Sequence, residues 1–160
     1  MAIKVGENLP DVTLKTMTAD GIKDMTTREL FGGKRVVLFA LPGAFTPTCS
    51  AKHLPGFVEQ ADRIRAKGID RIVCLSVNDA FVMGAWAKAQ GAGEKVLLVA
   101  DGNAEFSNAV GLAFDGSGFG MGTRSQRYAM IVQDGVLKHL FVEKPMEFKV
   151  SSAEAVLAAL

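Results

Sequence analysis

Residues 35–41 read RVVLFAL, seven positions with no polar side chain after the arginine. A short run of β-branched and apolar residues of this kind predicts a central strand buried on both faces. RIVCLSV (71–77) and KVLLVAD (95–101) repeat the pattern and predict two more strands. Between them the period changes. From Thr48 to about Lys67 the apolar positions are Leu54, Phe57, Val58, Ala61 and Ile64, which is helical spacing, and Pro55-Gly56 inside the segment predicts a kink. NDAFVMGAWAKAQ (78–90) predicts a helix capped by Asp79, and NAEFSNAVGL (103–112) a shorter one.

The flanks complete the pattern. Strand candidates lie around residues 12–14 and 21–25. QRYAMIVQDGVLKHLFV (126–142) reads as two strands joined by Asp134-Gly135, a hairpin signal, and SSAEAVLAAL (151–160) as a closing helix with a serine cap. GSGFGMGT (116–123) predicts an exposed loop; it lacks the G-x-x-x-x-G-K-[ST] pattern of a phosphate-binding loop. Alternating strands and helices followed by a hairpin and a helix predict an α/β fold, a mixed sheet with helices on both faces, formed by residues 1–160 as one domain. Sites in such sheets lie beyond the carboxyl ends of the central strands.

Composition agrees with an ordinary globular domain: 49% of residues are apolar and 22% charged. The 18 basic and 17 acidic side chains nearly cancel, so overall charge favours neither nucleic acid nor an anionic membrane as a partner. No run of apolar residues reaches the length of a bilayer span, and the N-terminus lacks a signal core, which predicts a cytoplasmic protein. Two cysteines, Cys49 and Cys74, are too few for a secreted disulfide framework.

PGAFTPTC (42–49) follows the first central strand. If Thr46 is the N-cap of the next helix, Pro47 falls at the first helical position, where its missing N–H costs least. Cys49 then occupies the third position, where a capping box carries an acidic or amide side chain. Free N–H groups and the positive end of the helix dipole favour an anion there, and the thiolate is the reactive form of cysteine. Thr46 has a hydroxyl that both donates and accepts, and Pro42 and Pro47 restrict the loop.

The pattern P-x-x-x-T-x-x-C, met by Pro42, Thr46 and Cys49, and the longer PGAFTPTCSAKHLPGFVE resemble the active-site segment of peroxiredoxins of the type II or type 5 group. The resemblance continues through CLSVNDAFVMGAW, VADGNAEF, GTRSQRYAM and FKVSSAEAVL. It implies a thioredoxin-like fold and a peroxidase that reduces hydrogen peroxide and alkyl hydroperoxides through a sulfenic acid on Cys49. It also implies that Arg127 is the active-site arginine, that Thr46 orients the peroxide, and that no metal or organic cofactor takes part. The implied reductant is thioredoxin, or glutathione with glutaredoxin. The implied assembly is a homodimer, for which the loop around Phe119 and Met121 is a candidate contact.

Cys74 sits in an apolar strand, where an inert core residue is the default. Similar plant-like and bacterial chains use a cysteine in CLSVND as the resolving partner, so Cys74 carries that role here as a hypothesis. EFKVSSAEAV lacks the C-terminal cysteine that resolves the sulfenic acid in animal type 5 members. His53 shares a helix face with Cys49, but with so few cysteines and histidines a metal site is not expected. Two other readings stand beside the peroxidase: a redox sensor whose oxidised Cys49 is read by a partner, and a general disulfide oxidoreductase. The second is weakened because Lys52, not cysteine, stands three residues after Cys49.

Overall fold

The computed structural model describes all 160 residues. The strands are β1 (Thr13–Thr18), β2 (Gly21–Thr26), β3 (Arg35–Leu41), β4 (Arg71–Ser76), β5 (Leu97–Ala100), β6 (Ala113–Asp115), β7 (Thr123–Ser125), β8 (Tyr128–Gln133) and β9 (Val136–Val142). The helices are α1 (Thr27–Phe31), α2 (Leu54–Ala66), α3 (Ala80–Gln90), α4 (Glu105–Ala109) and α5 (Ala153–Ala159). Seven strands form one mixed sheet in the order β2-β1-β5-β4-β3-β8-β9, and β6 pairs with β7 in a separate ribbon. The three runs expected at its centre are there: β3 is parallel to β4 and β4 to β5.

Alternation along β3 supplies both faces of the sheet. Val37, Phe39 and Leu41 join a cluster with Leu54, Phe57, Ile64, Met83, Trp86 and Val156 under α2, α3 and α5. Val36, Leu38 and Ala40 join the opposite cluster with Leu30, Phe31, Phe106 and Val110 under α1 and α4. Burying each such side chain contributes roughly 1.5–3 kcal/mol, which is why a strand with no polar position belongs at the centre.

The expected caps form: Asp79 accepts from Val82 N–H at 2.8 Å and Ser152 from Ala155 N–H at 3.1 Å. The Asp134-Gly135 hairpin has positive φ at both residues, 48° and 78°. The glycine-rich stretch is the tip of the β6–β7 ribbon, where Asp115 pairs with Thr123. Helix α4 is shorter than the periodicity predicts and begins after Ala104, whose φ is 58°. Helix α1 escaped the periodicity because it is only five residues long, although Thr26-x-x-Glu29 fits the capping-box pattern: Glu29 N–H donates to Thr26 Oγ1 at 3.1 Å, while Glu29 Oε1 takes the Thr26 hydroxyl at 3.0 Å.

The expected kink at Pro55-Gly56 takes a different form. Cys49–His53 is a π-helical turn, with Leu54 N–H bonded to Cys49 O, and α2 follows it. Pro55 has no N–H for Ala51 O and its ring would press on that carbonyl, so the helix widens one turn earlier instead of bending at the proline. No helix is long and apolar enough to cross a membrane.

Phe39 connects this core to the widened turn: its ring stacks on Phe57 with centroids 4.0 Å apart and lies 4.9 Å from the His53 ring. Phe39→Ala is expected to cost about 3–5 kcal/mol. Urea unfolding should show the midpoint falling at an unchanged slope; a midpoint within error of the parent would contradict the packing described.

Candidate active site

The chain leaves β3 at Leu41 into a loop held from three sides. Arg124 Nη1 donates to Pro42 O at 3.1 Å, and its Nε donates to Met121 O at 3.1 Å. Ala44 N–H donates to Asn78 Oδ1 at 3.0 Å, and Thr46 Oγ1 donates to Gly43 O at 2.7 Å. A Cβ at Gly43 would lie 2.6 Å from Arg124 Nη1, so a larger residue there would push the guanidinium off Pro42 O. Phe45 adopts a left-handed conformation, φ 64°, uncommon for a bulky residue and frequent where function fixes the backbone.

The helix begins at Pro47 with Thr46 before it, which puts Cys49 third, as the sequence predicts. The side-chain cap does not form: the Thr46 hydroxyl donates to Gly43 O, and no N–H of the first turn donates to its oxygen. That oxygen keeps acceptor capacity toward the site. Ser50 N–H reaches Thr46 O at 3.0 Å, whereas no carbonyl of the preceding turn takes the Thr48 or Cys49 N–H.

Arg127 precedes β8, and β8 runs antiparallel to β3 with Tyr128 opposite Ala40. The end of β3 and the start of β8 therefore lie side by side, closing a sequence separation of 78 residues. Arg127 Nη2 donates to Cys49 Sγ at 3.2 Å. Its other terminal nitrogen, Nη1, lies 2.8 Å from His53 Nδ1. The two ends of the π turn thus meet one guanidinium.

His53 is fully buried, and its Nε2 lies 2.9 Å from Ser151 O. A carbonyl only accepts and a guanidinium only donates, so the ring carries its hydrogen on Nε2 and accepts on Nδ1. Burial first and the Arg127 charge second hold its pKa down to about 3, against a smaller upward effect of Ser151. The imidazole is neutral. Phe148 packs edge-on against it at 5.0 Å and lies 5.8 Å from the Arg127 guanidinium carbon, within cation–π range. Trp86 Nε1 donates to Ser50 Oγ at 3.0 Å beside Cys49.

Cys74 lies within β4, fully buried between Phe39 and Leu98 in register. Burial pushes its thiol well up, the negative charge of Cys49 adds to this, and Arg127 opposes it. No three His, Cys, Asp or Glu side chains come together to hold a metal ion. His139 is an exposed residue of β9. Of the residues singled out in the sequence, Pro42, Thr46, Cys49 and Arg127 come together with His53. Arg124 and Glu143, which anchor the surrounding loops, went unread; spacing gave Arg124 no signal, and Glu143 looks like any strand-end carboxylate.

The Redoxin family model matches residues 4–157. The chain is 53% identical to Peroxiredoxin-2E-2, chloroplastic, from Oryza sativa subsp. japonica, over 99% of this chain and 72% of that protein. It is 45% identical to Peroxiredoxin-2B from Arabidopsis thaliana over 99% of this chain and 98% of that one. A crystal structure of reduced Prx3 in complex with H2O2 from Vibrio vulnificus superimposes with a TM-score of 0.95 at 55% identity, covering 98% of both chains. A thioredoxin-like α/β fold, a family match along nearly the whole chain and full-length relatives at this identity lead to one conclusion: the chain belongs to the peroxiredoxin family, of the peroxiredoxin-2 type, and is a thiol-dependent peroxidase.

Proposed function

We propose that Cys49 is the peroxidatic nucleophile and reduces hydrogen peroxide and alkyl hydroperoxides through a sulfenic acid. The observation that carries this is the 3.2 Å hydrogen bond from Arg127 to Cys49 Sγ at a helix start. A fixed cation and the unspent N–H groups of Thr48 and Cys49 favour a thiolate and a second anion beside it. The thiolate sulfur bonds to the terminal peroxide oxygen as the O–O bond breaks. The electron pair leaves on the other oxygen, which takes a proton and departs as water or alcohol. Sulfur is oxidised by two electrons and the peroxide reduced by two.

Arg127 faces the charge that develops on the departing oxygen. Thr46, its hydroxyl hydrogen turned to Gly43 O, accepts from the peroxide O–H and aligns it. Pro42 ends β3 beneath Arg124 and shapes the entrance. The H2O2 named in the Vibrio vulnificus structure is bound by a protein 55% identical to this one, which supports the same substrate here.

An external thiol system, thioredoxin or glutathione with glutaredoxin, returns Cys49 to the thiol: one thiol displaces the sulfenic oxygen as water to form a mixed disulfide, and a second thiol releases Cys49 from it. The hypothesis that Cys74 resolves Cys49 is less favoured, because its sulfur is packed in the sheet and held protonated. Residues 1–160 act as one domain. The working assembly is a homodimer, supported by Phe45, Phe81 and Phe119, which are 56%, 66% and 69% exposed. Two unpaired cysteines suit a reducing compartment such as the cytoplasm.

Cys49→Ser is expected to abolish peroxide consumption with either reductant, while Cys74→Ser retains it; turnover by Cys49→Ser would refute the assignment. Arg127→Gln should lower the second-order rate with H2O2 by about 10²–10³-fold, as for loss of one preorganised donor. Arg127→Lys should recover only part of it. Stopped-flow Trp86 fluorescence measures both, and a parent-like rate in Arg127→Gln would remove its role.

Acid should weaken the site through His53. Its folded pKa of about 3 lies below the ordinary 6.5, so the folded state binds fewer protons in that window. The stabilisation is complete above about 6.5 and is lost as pH falls toward 3. In urea, the stability difference between wild type and His53→Gln should shrink from pH 7 to pH 4. An equal difference at both would contradict a buried neutral imidazole.

A further inference from the structure

Glu143 follows β9 and is 7% exposed. Its Oε2 accepts from the N–H groups of Lys149, Val150 and Ser151 at 2.8, 2.9 and 2.9 Å, and from the Ser151 hydroxyl at 2.7 Å. Three consecutive backbone donors on one carboxylate oxygen wind residues 149–151 around it, through the strong class of charge-assisted hydrogen bonds. Oε1 has no partner, so half of the carboxylate is buried without compensation. The reason to keep such a group lies in what the wound segment holds.

Three contacts run from Glu143 and the residues around this segment to the peroxidatic centre. Ser151 O takes the Nε2 hydrogen of His53 at 2.9 Å. Phe148, just before the segment, packs against His53 and Arg127. Glu143 N–H itself donates to Arg127 O at 2.9 Å, fixing the backbone from which the guanidinium extends. The alternative tautomer, with hydrogen on Nδ1, would set a donor against Arg127 Nη1 and turn the guanidinium from its aim at sulfur. None of these groups except Arg127 touches Cys49.

We propose that Glu143 is a positioning residue: by folding residues 149–151 it holds the Ser151 carbonyl on His53, which fixes the tautomer that receives Arg127 and so aims the second guanidinium nitrogen at Cys49. The proposal rests on the assignment of Cys49 and Arg127 to peroxide reduction, and it adds a route by which a residue outside the reacting shell sets the rate. Supporting groups of this kind fix ring orientation and tautomer wherever a histidine must present one nitrogen.

The test uses the full chain, with 15N-labelled histidine read by NMR and H2O2 reduction read by stopped flow. Wild-type His53 should show a single Nε2–H tautomer. Glu143→Gln should lose that single tautomer and reduce H2O2 about 10–100-fold more slowly, the cost of a small misplacement. In a double-mutant cycle, Glu143→Gln added to His53→Gln should cost little more, because the effect runs through the imidazole. An Nδ1–H tautomer in the wild type, a parent-like rate in Glu143→Gln, or fully additive losses would each overturn the proposal. If Glu143→Gln does not fold, Glu143→Asp takes its place, and the wild-type spectrum decides if neither folds. Undiminished turnover by Cys49→Ser would instead sink the functional assignment, leaving the NMR result to stand by itself.

Discussion

One guanidinium shared between a sulfur and a neutral imidazole is the contact on which the rest of the site depends. A half-buried arginine needs acceptors, because an ion taken from water without partners costs several kcal/mol. Carboxylates are the usual partners, and one here would neutralise the charge that faces Cys49. His53 is an acceptor without charge, so it holds Nη1 in place and leaves the positive charge to Cys49 and to whatever anion forms beside it. Burial is the main reason the His53 pKa is low, and the Arg127 charge beside it adds to this, so the ring stays neutral.

The fold is arranged so that this contact can be made without adjustment. Antiparallel pairing of β8 with β3 sets Arg127 beside the exit of the strand that leads to Cys49. The π turn lets both its ends, Cys49 and His53, address the same group. Arg124 ties the loop at Pro42 to the β6–β7 ribbon, which carries the exposed Phe119. A dimer formed on that ribbon would thus bear on the loop before Cys49 through a single side chain.

The sheet, its main helices, the hairpin and the position of Cys49 were legible because each rests on a local signal: apolar runs, helical spacing, Asp-Gly, a proline at a helix start. What was not legible depended on how elements meet. Thr46 looked like a cap because its spacing fits one, and only the fold shows its hydroxyl turned to donate to Gly43 O with no first-turn N–H on its oxygen. The Pro55 signal was read correctly as a disturbance, but whether a helix bends or widens depends on what packs against it, here Phe39 and Phe57 around His53. Arg127 was marked by resemblance to a family motif. Its place beside sulfur came from sheet register, which no local pattern contains. Glu143 gave no signal because its partners are backbone N–H groups, which every residue but proline carries.

The two cysteines show how far position, not residue type, decides chemistry. They share one apolar cluster on the same face of the sheet. Cys49 stands at a helix start against a cation, and Cys74 inside a strand with neither donor nor cation in contact. A charge on Cys49 makes a charge on Cys74 harder to form. A charge on one sulfur therefore suppresses a charge on the other, and a bond between them needs the β4 backbone or the π turn to move. On the proposed route, a neutral sulfenic acid on Cys49 would remove that charge but leave the packing around Cys74 intact. Cys49 is itself fully buried, so an external thiol also needs the π turn to open, but it needs no movement of β4, which lies at the centre of the sheet.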